Sequence, residues 1–321
     1  MDRISPKFLG HGALGLSYVW ATSAQSLTSG SPLHNPPFGL PPSSFALALA
    51  SPISHASFPT TGYNTSIPAG PSDATGNGIP GWSLEISVAA NVPLTNSADE
   101  SVSAEDKKSK VTEAAVLSLV PPSTLQGLDE ESWRVCAIVF TGGLAAGKTE
   151  EAQTKELDGT CAALLPSECI QELQVNSVAN STDRGQECGR LIVPDACLEH
   201  FGGTMALGRY HGLDVDFVLT KPLLQEVNSS NFDQTNRRYS FFAGASAPTG
   251  KDNATALVAM ERVVWPVVIT WTHFSASGEV HDSAGWLSCV KPPNTTKWIT
   301  AESGMPDSLA AVWQERPSGL D

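Results

Sequence analysis

The chain has little positive charge and no place where it gathers. Its 19 Lys and Arg stand against 33 Asp and Glu, a net charge of −14. Nucleic-acid backbones and anionic membrane surfaces are held by clustered basic residues, so neither is an expected partner. Long apolar runs are missing too. Beyond the N-terminus nothing approaches the roughly 18 apolar residues of a membrane span. The polar C-terminus lacks the hydrophobic tail of a lipid-anchor signal. Close C-x-x-C pairs and the H-E-x-x-H spacing are absent, which removes the usual thiolate and histidine zinc frames. The sequence implies no metal and no cofactor.

What is present points outward from the cell. The 6 cysteines are Cys136, Cys161, Cys169, Cys188, Cys197 and Cys289. Asn-x-Ser/Thr sequons stand at Asn64, Asn180, Asn228, Asn253 and Asn294. All of these lie downstream of residues 1–24, which read as a signal peptide. Arg3 and Lys7 supply its basic end, Phe8 to Ala21 its apolar stretch, and Ala21-Thr-Ser-Ala24 small residues for cleavage. Disulfides and glycans belong to an oxidising, extracellular setting, so secretion is the expectation.

Residues 25–81 change character. Prolines are dense and Asp73 is the one formally charged side chain. The apolar residues have no period, so this segment reads as a disordered stalk, retained or removed as a pro-segment. Residues 82–297 read as a single folded domain, with a 298–321 tail carrying a short helix near 306–314.

Inside that domain the pattern is mostly of strands. Trp82 to Val88 alternates apolar and polar residues perfectly, the period of a half-buried strand. Val111 to Val120 is apolar and stops at Pro121-Pro122, while 97–110 is charged and loop-like. Ser132 to Phe140 is apolar on both faces, as in a central strand. Leu213 to Leu219, Arg238 to Ala243, Leu257 to Val264, Val267 to Phe274 and Gly285 to Val290 complete the strand-like runs. The fold class expected is mainly β, an antiparallel β-sandwich or barrel-like domain.

A helical insert over about 161–201 interrupts this pattern. Leu164-Leu-Pro-Ser-Glu-Cys169 and Ile192-Val-Pro-Asp-Ala-Cys197 match position by position in residue class, each with a further cysteine upstream. Proline ends an extended segment, and Ser167 or Asp195 can cap a helix start. Two short helices follow. Six cysteines allow fifteen pairings. Proximity favours Cys161–Cys169, Cys188–Cys197 and a long-range Cys136–Cys289; the rival pairs the two repeat copies crosswise.

Candidate chemistry is thin. Gly142 to Thr149 matches the phosphate-loop pattern G-x-x-x-x-G-K-T, but two carboxylates follow at once and the next helix lacks an apolar face. Asp214 and Asp216 share one strand face and are candidates for acid/base work on sugars or for calcium, against a plain polar strand face. Gly244-Ala-Ser246-Ala-Pro248 misses the nucleophile-elbow pattern by its last residue. Trp271 and His273 share a strand face suited to core packing or to sugar stacking. His281-Asp282 lies beside a turn and reads as solvent-exposed.

Trp133-Arg-Val-Cys136, the two Pro-[Ser/Asp]-x-Cys repeats and Trp286-Leu-Ser-Cys289 together resemble uncharacterised secreted, cysteine-containing glycoproteins of filamentous fungi, over about residues 82–297. The resemblance implies a cell-surface or host-facing role and carries no catalytic residue with it. The expectation is a secreted non-enzymatic glycoprotein at a cell wall or host interface, with cell-wall polysaccharide or an extracellular protein as partner. The alternative is a secreted carbohydrate-active hydrolase using Asp214 and Asp216. A nucleotide binder at 142–149 is the least favoured. The ligand and the oligomeric state are not fixed by the sequence.

Overall fold

Alternation at Trp82 and the two-sided apolar run at Trp133 define the two layers of the fold. The computed structural model describes residues 36–65, 79–125, 132–140, 143–155, 157–179, 188, 191, 193–201, 217–219, 232–233, 238–275 and 277–293. A large antiparallel sheet runs in the order β1 (Ser54–Gly62), β2 (Ile79–Pro93), β3 (Lys110–Val120), β7 (Arg238–Ala245), β6 (Phe232–Asp233), with β8 (Thr249–Gly250) also on β3. A small antiparallel sheet runs β10 (Val280–Val290), β9 (Trp265–Phe274), β4 (Trp133–Phe140), β5 (Phe217–Leu219). The helices are α1 (Pro42–Leu49), α2 (Ala104–Ser109), α3 (Ala146–Gln153), α4 (Ser167–Ala179), α5 (Asp195–Leu198) and α6 (Ala254–Arg262). The chain is mainly β and its sheets stack as a sandwich without closing into a barrel.

The inner faces of the two sheets make the main core. Trp82, Leu84, Ile86 and Val88 of β2 meet Val135, Ala137 and Val139 of β4 and Val267, Ile269 and Trp271 of β9. Every residue of β4 and β9 is buried, so the small sheet is covered on both faces. Its second cover is helical. Ile138, Phe140, Val268 and Leu287 pack on Leu144, Leu164, Cys169, Leu173 and Phe201. Helix α4 approaches β10 so closely that a Cβ on Gly285 would stand 2.6 Å from Ser177 Oγ and 2.8 Å from Gln174 O. Only glycine fits there.

Three disulfides fix this helical cover, and their pairing corrects the expectation from proximity. Cys136 bonds Cys188, Cys161 bonds Cys289, and Cys169 bonds Cys197. Each repeat copy sends its upstream cysteine to one strand of the small sheet and its downstream cysteine to the other copy. The adjacency inferred for Cys136 and Cys289 is also corrected: β9 lies between β4 and β10. Proximity misled because Cys169 faces the sheet from inside α4, where Leu173 joins it one turn on, while Gly159 to Cys161 runs along the edge of β10. There Cys289 N–H donates to Gly159 O at 3.0 Å, and Thr160 bridges to Ser288.

Three further expectations change. The stalk assigned to 25–81 is folded wherever it is described. Strand β1 pairs with β2 from Ser54 to Gly62, and α1 with Phe38 and Leu40 covers Ala89, Val92, Ala114 and Val116 on the outer face of the large sheet. Proline density allows this because β1 is an edge strand, where Pro59 needs no partner for a missing N–H. The run Leu257–Val264, read as a strand, is mostly α6. Asn253 Oδ1 accepts from Thr255 N–H at 3.1 Å and Ala256 N–H at 3.4 Å, and the alanines, Leu257 and Met260 that follow are good helix formers. The charged segment 97–110 holds the short helix α2, capped by Ser103. The signal peptide and the helix near 306–314 lie outside the described residues.

The sulfur connectivity is open to direct test by peptide mapping under non-reducing conditions. The bonds close separations of 128, 52 and 28 residues, for which chain entropy suggests about 5, 4 and 3.5 kcal/mol as upper estimates. Removing Cys161 and Cys289 together is expected to lower stability in urea by about 1 kcal/mol more than removing Cys169 and Cys197. A larger loss from the second pair would show that native packing, and not loop closure, sets the ranking.

Candidate functional site

The sequence-derived candidates do not converge. Asp214 and Asp216 lie outside the described residues. In the glycine loop, Thr149 Oγ1 donates to Leu144 O at 3.0 Å, and Lys148 Nζ sits 3.0 Å from Glu151. Lys155, at 2.6 Å, and Lys148 hold the Glu151 carboxyl down at about 2. The lysine and hydroxyl that a phosphate would need are thus engaged by α3 and the loop leading into it. Ser246 is no nucleophile elbow either. Its Oγ accepts from Glu113 N–H at 3.0 Å, and its carbonyl accepts from Thr112 Oγ1 at 2.7 Å, tying the end of β7 to β3.

Titratable groups gather instead at two places. The first is one end of the sandwich. Here the Tyr63 ring stacks on Trp133 with centroids 5.6 Å apart, and Trp133 lies 4.6 Å from the His273 ring. Trp82 stands edge-on to Trp271 at 4.7 Å, and its Nε1–H donates to Tyr63 O at 3.1 Å. His281 is exposed, 5.8 Å from His273 between ring centres. Register explains the grouping: Trp133 and Asp282 are both paired with His273 on neighbouring strands. Burial raises the Tyr63 hydroxyl pKa, and the Asp282 carboxylate raises it further. The tryptophans are buried, so Trp271 packs the core and has no free face for a sugar. Only Tyr63, His281 and Asp282 of this set reach solvent.

The second place is a clasp around a buried carboxyl, which the sequence reading missed. Glu113 is 1% exposed in the middle of the apolar strand β3. A lone carboxylate inside an otherwise apolar run was the available signal. A bulge between Ala89 and Val92 turns Asn91 into the left-handed region, at φ 54°, so that its N–H donates to Glu113 Oε2 at 3.1 Å. Asp252, at φ 62°, meets the same asparagine twice. Its N–H donates to Asn91 Oδ1 at 2.8 Å, and Asn91 Nδ2 donates to Asp252 Oδ1 at 3.2 Å. Burial, and to a lesser degree the Asp252 charge, pushes Glu113 up to about 7 despite the Asn91 bond.

Among the described residues no group of three or more His, Cys, Asp or Glu is placed to hold a metal ion, and no helix is long and apolar enough to cross a membrane. Comparison with protein-family models, with curated proteins and with solved structures finds no match.

The clasp makes stability depend on pH in a definite direction. The folded chain holds the Glu113 proton more tightly than the unfolded chain, so its contribution is full below about 4.5 and lost as pH rises through about 7. Glu113→Gln keeps the acceptor for Asn91 and removes the charge. At pH 8 the variant is expected to be more stable than the parent by about 1–2 kcal/mol, a discounted fraction of the shift, and at pH 4 no more stable. Denaturant melts at the two pH values check this; an equal offset at both would exclude titration of Glu113 as the cause.

Proposed function

We propose that this chain is a secreted glycoprotein that acts by binding at a cell wall or at the surface of a host cell, without catalysing a reaction. One observation carries the reading: all six cysteines are paired, two of the bonds pinning a helical layer to a sheet and the third joining α4 to α5, and none is free among the described residues. Such a scaffold is at home in an oxidising exterior and would lose its clamps in a reducing cytosol. The resemblance to secreted fungal glycoproteins points the same way. At Asn253 the helix cap uses the side-chain oxygen, so the nitrogen that carries a glycan is not consumed by the cap. Ser246, Lys148 and Thr149, the groups a catalytic reading would draw on, each bond to neighbouring groups of the fold.

Expression in a secretory fungal host tests this. The protein is expected in the medium, starting near Gln25, losing mass on N-glycosidase treatment and sedimenting with isolated fungal cell walls. Recovery only inside the cell, without glycans and with six titratable thiols, would overturn the secretion reading. Recovery from the medium without any retention on walls or intact cells would overturn the binding role.

A further inference from the structure

The chain between β7 and α6 is fastened in two ways. Its first half is tied by bonds that do not titrate. Ser246 N–H donates to Glu113 O at 2.8 Å, Thr112 Oγ1 donates to Ser246 O at 2.7 Å, and β8 pairs with Lys110 and Val111. Its second half, the turn Lys251-Asp252-Asn253, is fastened through Asn91. That side chain bonds Asp252 twice, at 2.8 and 3.2 Å, and both bonds lie at the surface. The Asn91 N–H reaches inward to the Glu113 carboxyl at 3.1 Å. One residue of the β2 bulge thus joins an exposed turn to a buried acid.

The charged groups around Glu113 are few. The β2 bulge, Ala89 to Val92, and the end of β7, Ala243 to Ser246, carry none. Helix α6 packs on β2 and β3, and its first charge, Glu261, comes two turns from its start. Helix α2 leans on β3 with Glu105, Asp106, Lys107 and Lys108, and its Asp106 is bonded to Lys110 at 3.0 Å. Lys251 is exposed. Of all these, Asp252 is the charge that acts on Glu113, and it has the same sign as the ionised acid. A carboxylate buried in that company is costly and must reach water. The way out passes Asn91, and it opens when Asn91 parts from Asp252.

We propose that Glu113 is the catch of an acid latch: with its proton on, the turn at Asp252 closes onto the β2 bulge, and with its proton off, the turn swings free while the sandwich stays folded. Burial, and then Asp252, lift the closed-state Glu113 from its ordinary 4.5 to about 7. In the open state the carboxyl is solvated and regains its ordinary value. Opening therefore grows more favourable from about pH 4.5 upward and levels off above about 7. Its extent is bounded on one side by the Ser246 bonds and on the other by Leu257 and Met260 of α6, which are buried in the main core. Asn253, the cap of α6 and the head of a sequon, lies inside the segment released.

Amide hydrogen exchange on the full, disulfide-bonded chain between pH 5 and 8, with intrinsic rates divided out, tests the latch. Protection of the Asp252, Thr255 and Ala256 amides is expected to fall at least about tenfold over that range, a discounted share of the shift, while β4 and β9 keep theirs. In Glu113→Gln the fall should vanish, since the amide keeps the acceptor for Asn91 and cannot ionise. Asp252→Asn, at an exposed position that the core does not use, keeps the acceptor and N–H for Asn91 and should show a smaller fall. Constant protection in the parent turn would overturn the proposal. So would a loss shared equally by β4 and β9, or a fall that persists in Glu113→Gln. Should that variant not fold, an undiminished fall in Asp252→Asn would overturn it instead.

Discussion

Everything else in this fold follows from the need to cover the small sheet on both faces. Strands β4 and β9 bury every residue they have, and an uncovered face of such a sheet would expose a broad apolar surface. The large sheet covers one side through ordinary sandwich packing. The other side falls to helices poorly equipped for the task. Among its described side chains α4 buries only Cys169, Leu173 and Ser177, and α5 is a single turn. Their apolar stripe is too narrow to hold them by burial alone. Covalent bonds supply what the stripe lacks, two of them reaching β4 and β10 and the third joining α4 to α5. The internal repeat is therefore a clip with two arms, each fastened to the sheet and to the other arm.

The strands were legible because their burial is simple. Alternation from Trp82 and the two-sided run at Trp133 report directly which faces meet a core, and the structure places both in the sandwich as read. The errors arose where a local signal competes with a tertiary one. In Leu257–Val264 the valines suggested a strand, yet the Asn253 cap and the spacing of Ala256, Leu257 and Met260 give a helix whose inner side is buried. Along 36–65 the apolar residues have no period because each serves a separate contact, Phe45 from a helix, Phe38 from a turn and Phe58 from an edge strand. No window of sequence reports contacts made one at a time. The cysteine pairing failed for a related reason: nearness in sequence says nothing about which side of α4 a thiol faces.

The candidate site was less legible than the fold. Single residues drew attention by motif, at Lys148, Ser246, Asp214 and Asp216, whereas the structure groups residues by register. Trp133, His273 and Asp282 come from three separate strands, and nothing in their local sequence marks them as a set. Glu113 was visible as a lone charge in an apolar strand, but its partners Asn91 and Asp252 are separated from one another by 161 positions. Both adopt positive φ, a conformation asparagine and aspartate tolerate better than most residues. That tolerance lets one bulge and one turn fold toward the same carboxyl.

The two layers thus divide the work. Disulfides, buried tryptophans and the helical clip are concentrated on and behind the small sheet, where any loosening would expose its apolar faces. The large sheet has its own core side secured and carries α1 on its outer face. Beside α1 that face carries hydroxyls, and Ser118 and Ser240 are buried there and bonded to each other at 2.9 Å. Glu85 and Arg238 meet there in an ion pair of 3.3 Å that spans β3, so on this side polar pairing, and not apolar burial, ties β2 to β7.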